Sequence, residues 1–132
     1  MKEKKQTQTD IELLLSAVWN SSADAMRITD SKGKIINVNN AYCTLTGFER
    51  KALIGKILNT IYDEKNGARF LKEYNEFLSS NKTFERKVKK LTFLNGKKFT
   101  FEASYSRIKL SGENYILGIF RNITERKKIE EK

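Results

Sequence analysis

Hydrophobic and polar residues follow two different periods along the chain, and each change of period marks a predicted element. Near the N-terminus, apolar side chains recur at the i, i+3, i+4, i+7 spacing of an amphipathic helix, at Ile11, Leu14, Leu15 and Val18. The run Thr9-Asp10-Ile11-Glu12 has the spacing of a capping box, which predicts a helix over residues 9–20. Residues 1–8 are polar and charged, and we expect them to form a disordered lead.

A shorter period follows the helix and predicts a β-hairpin before helical spacing returns. Residues 25–29 and 34–38 are strand-like, and Gly33 can supply the positive φ that a tight turn between them requires. Two short helices come next, each ended by a glycine, Gly47 or Gly55. A longer helix then presents one face made up of Gly67, Phe70, Leu71, Tyr74, Phe77 and Leu78.

The last third of the chain has the alternation that is typical of strands. Residues 83–93, 98–108 and 115–123 are predicted to form three antiparallel strands, and Asn95-Gly96 favours a hairpin between the first two. The first of these strands alternates less regularly than the second, which permits a β-bulge. Residues 124–132 have helix-forming composition, and we interpret them as the start of a connector helix to an effector.

This order of elements predicts an α+β fold. One five-stranded antiparallel sheet is covered on one face by helices, with the amphipathic helix before it and the connector helix after it. A chain of 132 residues is long enough for one hydrophobic core and too short for two domains of ordinary size. We therefore expect the core domain to span residues 21–123.

Composition narrows the functions that such a fold can have. The chain contains no histidine, which removes the usual general base near neutral pH and the commonest metal ligand. A Ser-His-Asp or Cys-His nucleophile is therefore excluded, and we expect the chain to be non-catalytic, with no catalytic residue and no metal site. The single cysteine, Cys43, cannot form an internal disulfide, and the N-terminus lacks an apolar secretory segment. Both features predict a cytoplasmic location.

The net charge of +10 raises the question of nucleic-acid binding. The basic residues are scattered along the chain and are densest around two predicted strands, at Lys82, Arg86, Lys87, Lys89, Lys90, Lys97 and Lys98. No helix-turn-helix, zinc-ligand or RNA-binding aromatic motif accompanies them, so we expect a solvated sheet face and no specific nucleic acid partner. Apolar runs fall far short of the roughly 20 residues that cross a bilayer, so no membrane contact is expected.

Three stretches of this sequence resemble PAS domains. Residues 22–39 look like the opening hairpin of that family, and residues 39–56 look like the helices that follow it. Residues 118–130 resemble the junction between the sheet and the outgoing helix, which in the family usually begins Asp-Ile-Thr-Glu-Arg. Here Asn122 replaces the aspartate, so a contact that depends on charge at this position is in doubt, whereas neutral hydrogen bonding remains available.

The resemblance implies a sensory and dimerisation module that passes a small-molecule or partner signal to an attached effector. That effector would be a histidine kinase, a diguanylate cyclase or a transcription regulator. The alternative is a constitutive protein–protein interaction domain with no small ligand. Four junction residues either couple the sheet to the outgoing helix or only cap it, and they are Asn122, Ile123, Thr124 and Glu125. A homodimer is expected through the stripe Ile11, Leu14, Leu15 and Val18.

The resemblance leaves the cofactor unknown. Light sensors of this superfamily carry a reactive cysteine on a helix after the Gly55 region, where this chain has Ile57-Leu58-Asn59-Thr60. Covalent flavin chemistry is therefore disfavoured, and so is haem, which would normally require a histidine. Cys43 is expected to be a small buried apolar residue. The residues between the sheet and the helices either line a ligand pocket or simply fill the core. They are Met26, Ile28, Tyr42, Leu45, Phe70, Tyr74, Phe99 and Tyr105, and either Tyr105 or Arg107 would supply the polar anchor of a ligand.

Overall fold

The structure is a computed structural model that describes residues 7–94, 96–125 and 129. Residues 1–6 of the predicted lead (residues 1–8) lie outside this range, and so does Asn95 of the predicted turn. Of the predicted connector helix, the structure describes Thr124, Glu125 and Ile129, all of which are helical.

Helix α1 (Gln8–Ser21) begins with a capping box that differs from the predicted one. The Thr7 hydroxyl accepts a hydrogen bond from the Asp10 amide, and the Asp10 carboxylate accepts one from the Thr7 amide. The prediction placed the capping box at residues 9–12. In the structure Thr7 is the cap and Asp10, three residues later, completes the box, so the cap lies two residues earlier than predicted. Helical order therefore begins within the segment that was predicted to be disordered.

Five antiparallel strands form one sheet in the order β2-β1-β5-β4-β3. The strands are β1 (Ala25–Thr29), β2 (Ile35–Val38), β3 (Phe84–Thr92), β4 (Lys98–Leu110) and β5 (Glu113–Asn122). The last strand, β5, lies at the centre because it pairs with both β1 and β4. The predicted five-stranded antiparallel sheet is confirmed.

Two details of the sheet differ from the sequence prediction. The register of β1 and β2 shifts between Ile28 and Thr29, whereas β3 pairs with β4 without interruption, so the irregularity lies in the first hairpin. The β4–β5 turn is tighter than predicted, because Ser111 and Gly112 adopt positive φ values of 50° and 81°. Two successive positive φ values match the twist of the flanking strands, which lets both strands extend to the turn.

Helices cover one face of the sheet. They are α2 (Asn40–Thr46), α3 (Arg50–Leu53), a 3₁₀ helix (Leu58–Ile61) and α4 (Glu64–Ser79). Asn39 caps α2 by accepting a hydrogen bond from the Tyr42 amide, and Gly47 ends that helix in the left-handed conformation. The close approach of α4 to the 3₁₀ helix depends on Gly67, where a Cβ would lie 2.5 Å from the Asn59 carbonyl oxygen.

The two faces of the sheet differ in what covers them. On the helix-facing side, strand residues are fully buried, including Phe101, Ala103, Ile116 and Phe120. The opposite face carries half-buried apolar side chains on the central strands and exposed ones on β3, at Met26, Ile28, Leu117, Ile119, Phe84 and Val88. Helix α1 has no buried residue. Among the described residues, no helix is long and apolar enough to span a bilayer.

Candidate functional site

A charged side chain occupies the space between the sheet and the helices. Arg27, in the middle of β1, is only 3% exposed and lines a cavity of about 30 Å³. Its Nη1 donates hydrogen bonds to the hydroxyls of Tyr42 (3.3 Å) and Tyr62 (3.0 Å). Its guanidinium carbon lies 5.0 Å from the ring centre of Phe120, within the range of a cation–π contact. Arg27 therefore joins β1 to α2, to the segment after the 3₁₀ helix and to β5.

The strand register explains why a cavity forms at this point. Four residues lie side by side across the helix-facing side of the sheet, and they are Arg27, Gly118, Tyr105 and Glu85. Gly118 has no side chain, and a Cβ there would come within 2.9 Å of the Phe120 ring. The absent side chain lets the rings of Phe120 and Tyr105 meet edge to face, with their centres 5.9 Å apart.

Helix α4 forms the opposite wall of the cavity. It contributes the side chains Phe70, Glu73, Tyr74 and Phe77. The Tyr74 hydroxyl lies 2.8 Å from the Thr29 hydroxyl and also within hydrogen-bond distance of the Asp30 carbonyl oxygen. These contacts hold α4 over the end of β1 and so keep the wall close to Arg27.

An ion pair links α4 to the edge strand β3 at the side of the cavity. Lys89 donates a hydrogen bond of 2.8 Å to Glu73, and both side chains line the cavity. The Lys89 ammonium also lies 4.8 Å from the ring centre of Phe70 and 5.1 Å from that of Tyr105. Burial acts to raise the pKa of Glu73, but the hydrogen bond and the charge of Lys89 outweigh it, so the pKa lies below its ordinary value.

The buried guanidinium has no carboxylate to balance its charge within the described part of the chain. An arginine stays protonated in proteins, and its two hydrogen-bond acceptors here are phenols. Burial raises the pKa of Tyr42 and of Tyr105 above the ordinary value, so both are neutral near neutral pH. The Nε atom of Arg27 is buried and has no hydrogen-bond partner among the described residues. The centre of the site is therefore positively charged.

The end of β5 is bound to β4 at the junction with the outgoing helical residues. The Asn122 side-chain oxygen accepts hydrogen bonds from the Thr124 amide (3.0 Å) and hydroxyl (2.6 Å). The Thr124 hydroxyl oxygen in turn accepts one from the Thr100 amide, while the Ile123 amide donates to the Thr100 carbonyl. Ile123 is buried and Glu125 is exposed. These bonds connect the last strand, its neighbour β4 and the start of the helix.

The sequence that forms the sheet and its helical cover matches a known protein family. A family model described as a PAS domain matches residues 23–125. This chain belongs to the PAS domain family. PAS domains are in general non-catalytic sensory modules. In a separate comparison, no curated protein sequence matches this chain significantly.

Solved structures share the fold of this PAS domain at low sequence identity. The PAS domain of a Colwellia psychrerythraea protein has a TM-score of 0.75 and 24% identity, covering 89% of this chain and 100% of its own. The PAS domain of an HTR-like protein from Haloarcula marismortui has a TM-score of 0.70 and 22% identity, with coverages of 87% and 93%. The PAS domain of nitrogen regulation protein NR(II) from Vibrio parahaemolyticus has a TM-score of 0.68 and 21% identity, with coverages of 83% and 98%.

The structure brings together some of the predicted pocket residues. Phe70, Tyr74 and Tyr105 line the cavity, and Tyr42 reaches it through its hydrogen bond with Arg27. Leu45 and Phe99 pack against the core without lining the cavity.

Met26 and Ile28 require a correction, because they lie on the other face of the sheet. Along β1 the fully buried residues are Ala25, Arg27 and Thr29, so alternation turns Met26 and Ile28 away from the helices. The prediction oriented the strand by hydrophobicity alone. Both faces of β1 carry apolar side chains, and only the pairing with β5 determines which face the helices cover.

Arg107 also has a role that differs from the predicted polar anchor. Its Nη2 donates hydrogen bonds to the carbonyl oxygens of Phe77, Leu78 and Ser80, at distances from 2.7 to 3.2 Å. Its Nε donates to the Lys82 carbonyl. The side chain therefore caps the C-terminal end of α4, where helix carbonyl groups lack partners, and binds that end to β4.

Sequence reasoning missed the charged part of the site. The missed residues are Arg27, Tyr62, Glu73, Lys89 and Glu85. Lysines on β3 appeared in the sequence as one basic patch, but alternation divides them between the two faces, with Lys87 and Lys89 toward the cavity. The one signal for Arg27 was its position two residues from Ala25 and Thr29 in a strand, which places all three on the same face.

Proposed function

We propose that this PAS domain senses a small molecule or a partner at the cavity and passes the signal through β5 to an attached effector. The observation that carries the proposal is a continuous path. Ile116 of β5 lines the cavity, and Gly118 and Phe120 of the same strand lie beside Arg27. The strand then enters the hydrogen-bonded junction at Asn122 and Thr124. A change at the cavity thus acts on the strand that begins the outgoing helix.

The junction favours coupling over simple capping because it joins three elements. The Thr124 hydroxyl donates a hydrogen bond to Asn122 on β5 and accepts one from the Thr100 amide on β4. If β5 shifted relative to β4, both hydrogen bonds could be kept only if the orientation of the helix changed. The direction of the helix therefore depends on how the two strands are placed, and ligand binding that favours one placement biases the effector.

A chimeric sensor kinase tests this relay. Residues 1–132 replace the PAS domain of a sensor histidine kinase, with the helical phase preserved at the fusion point. Asn122→Ala and Thr124→Val are each expected to change autophosphorylation several-fold, whereas Lys109→Ala, an exposed change at the far end of β4, leaves it unchanged. Variants at Asn122 and Thr124 that behave like the parent chimera would overturn the proposed relay.

Among effectors, a histidine kinase is the one that the structural neighbours favour. Two of them are described as domains of a two-component sensor histidine kinase and of a sensor histidine kinase/response regulator. A diguanylate cyclase or a transcription regulator in the same chain is consistent with the same junction. The free thiol of Cys43, whose pKa burial raises, supports a reducing cytoplasmic location.

A constitutive interaction domain is the second candidate, and the surface of α1 favours it. Five apolar side chains of this helix are exposed, and they are Ile11, Leu13, Leu14, Leu15 and Val18. We propose that they form a homodimer interface, which either candidate function can use. Native mass spectrometry of protein purified from cells separates the two candidates. A retained small molecule supports sensing, and a ligand-free dimer under all growth conditions supports constitutive interaction.

A further inference from the structure

We infer that the cavity binds a small carboxylate anion, held by the Arg27 guanidinium. The inference rests on the proposed sensory function of this cavity and names the chemical class of its ligand. Four observations support it: a buried charge without a counter-ion, a donor edge that is not used, a lining that suits a short carboxylate, and a volume that limits its size.

Arg27 carries a buried positive charge that no described acidic residue balances. Buried ions in proteins are normally paired, because transferring an isolated charge out of water is costly. Arg27 is buried and contacts the hydroxyls of two tyrosines and the face of Phe120, with no ion pair to any described acidic residue. The nearby carboxylate of Glu73 is bound to Lys89 instead. An anion in the cavity would supply the missing counter-charge.

The guanidinium of Arg27 uses only some of its hydrogen-bond donors. A guanidinium has five N–H donors in one plane, and a carboxylate accepts two of them side by side. In Arg27, Nη1 makes both hydrogen bonds to the tyrosine hydroxyls. The buried Nε has no partner among the described residues, so the guanidinium keeps an unpaired donor on its Nε–Nη2 edge. A carboxylate reaches this donor once the side chains that cover it shift. This edge matches a planar carboxylate.

The other side chains that line the cavity and its volume limit the kind of anion that fits. The hydroxyl-bearing rings of Tyr62 and Tyr105 line the cavity together with the apolar side chains of Leu58, Phe70, Leu91 and Ile116. Two carboxylates also line it, but both are paired: Glu73 with Lys89, and Glu85 with Lys82 and Lys87. A polar end beside an apolar wall suits a carboxylate with a short alkyl group. The volume of about 30 Å³ holds about two water molecules. An anion of about three or four non-hydrogen atoms is therefore the largest that small shifts of the lining side chains can admit.

The experiment is an NMR titration that observes the Nε–H resonance of Arg27 directly in the 132-residue chain. Sodium acetate is the probe, acetamide is its neutral analogue of the same shape, and sodium chloride is the control for ionic strength and for simple anions. We expect acetate at millimolar concentrations to shift the resonance saturably, and acetamide and chloride to leave it in place. A resonance that acetate does not shift saturably, or that chloride shifts equally, would overturn the inference.

A matched pair of variants tests the same point through stability. Arg27→Met removes the charge but keeps most of the volume, and Arg86→Met makes the same change at an exposed position on β3. Acetate should raise the Tm of the wild type and of Arg86→Met, because binding to the folded state stabilises it, and should not raise the Tm of Arg27→Met. An equal acetate response in both variants would contradict the inference. If Arg27→Met does not fold, the wild-type titration still decides.

The failure of this inference can be distinguished from the failure of the proposed relay. If acetate binds at Arg27 but leaves the amide resonances of Asn122 and Thr124 unchanged, the ligand class stands and the relay from this site is wrong. If acetate does not bind while the kinase chimera still responds to changes at Asn122 and Thr124, the ligand class is wrong and the relay stands.

Discussion

At the scale of single residues, Arg27 shows how a charge is kept inside a small domain. Its guanidinium is held by the hydroxyls of Tyr42 and Tyr62 and by the ring face of Phe120. Hydrogen bonds to a charged group contribute more than neutral ones, and losing an acceptor leaves a buried donor unsatisfied. The tyrosine hydroxyls are therefore structural supports of the site and set the orientation of the guanidinium.

Tyr62→Phe should be more destabilising than the loss of a hydroxyl normally is. The change removes the 3.0 Å acceptor from Nη1 of Arg27 and adds no compensating contact. We expect the free energy of unfolding to fall by about 2 kcal/mol, as for a buried hydrogen bond to a charged group. Urea unfolding measures it, with Tyr115→Phe on the other face of the sheet as the control. Equal effects of the two changes would contradict this account.

The ion pair between Glu73 and Lys89 should make stability depend on pH in acid. The pKa of Glu73 is lower in the folded state than its ordinary value, so the pair stabilises the fold above the unfolded pKa of about 4.3. That contribution, about 1 kcal/mol for a partly exposed pair, is lost as pH falls through the folded-state pKa.

Urea unfolding of Glu73→Gln across the acid range checks this dependence. The variant should be less stable than the wild type near neutral pH, and the difference should disappear in acid. Glu113→Gln, an exposed carboxylate at the start of β5, is the control and should show little change. A constant difference between Glu73→Gln and the wild type at all pH values would show that the carboxylate charge is not responsible.

At the scale of elements, the cavity depends on how α4 is fixed to the sheet along its middle and at its C-terminal end. Tyr74 binds the helix to the end of β1, and Lys89 binds its middle to β3. Arg107 holds the C-terminal end by donating to the carbonyl groups of Phe77 and Leu78 in α4 and to those of Ser80 and Lys82 just after it. The wall of the cavity is therefore held in place by polar contacts as well as by buried aromatic rings.

Arg107→Lys should loosen the end of α4 although it keeps the positive charge. A lysine ammonium cannot reproduce the planar arrangement in which Nη2 and Nε donate to separate carbonyl groups. We expect a loss of about 2 kcal/mol in the free energy of unfolding and faster amide hydrogen exchange in residues 77–82. Arg86→Lys, the same change at an exposed site, is the control. Unchanged exchange in residues 77–82 would refute the capping role.

At the scale of the whole molecule, apolar surface remains exposed on α1 and on the outer face of the sheet. Helix α1 is attached at its C-terminal end, where the Trp19 carbonyl accepts a hydrogen bond from Asn39 and the Asn20 side chain accepts one from Asn40. The rest of its apolar stripe contacts solvent. Such a surface on a helix that is attached at one end is suited to pairing with a second copy of the chain.

Leu14→Glu should therefore convert a dimer into a monomer without unfolding the domain. Leu14 is 56% exposed, so a charge there costs little in the isolated chain but would be buried in a helix pair. Leu110→Glu is the matched control, because Leu110 is 60% exposed at the distant β4–β5 turn. Sedimentation velocity should show dimers for the wild type and for Leu110→Glu. A monomeric wild type at high micromolar concentration would contradict the proposed interface.

The sequence by itself determined the elements and their order, because helix and strand periods, caps and turn residues act over a few neighbouring positions. The helix stop at Gly47 could be assigned in this way, and so could the alternation of β4. Only the tertiary structure decided the site. Arg27 meets partners 15 and 35 residues away, and its position depends on pairing with β5. In β1 both faces carry apolar side chains, so no local pattern specifies which face the helices cover, and the assembled sheet decides it.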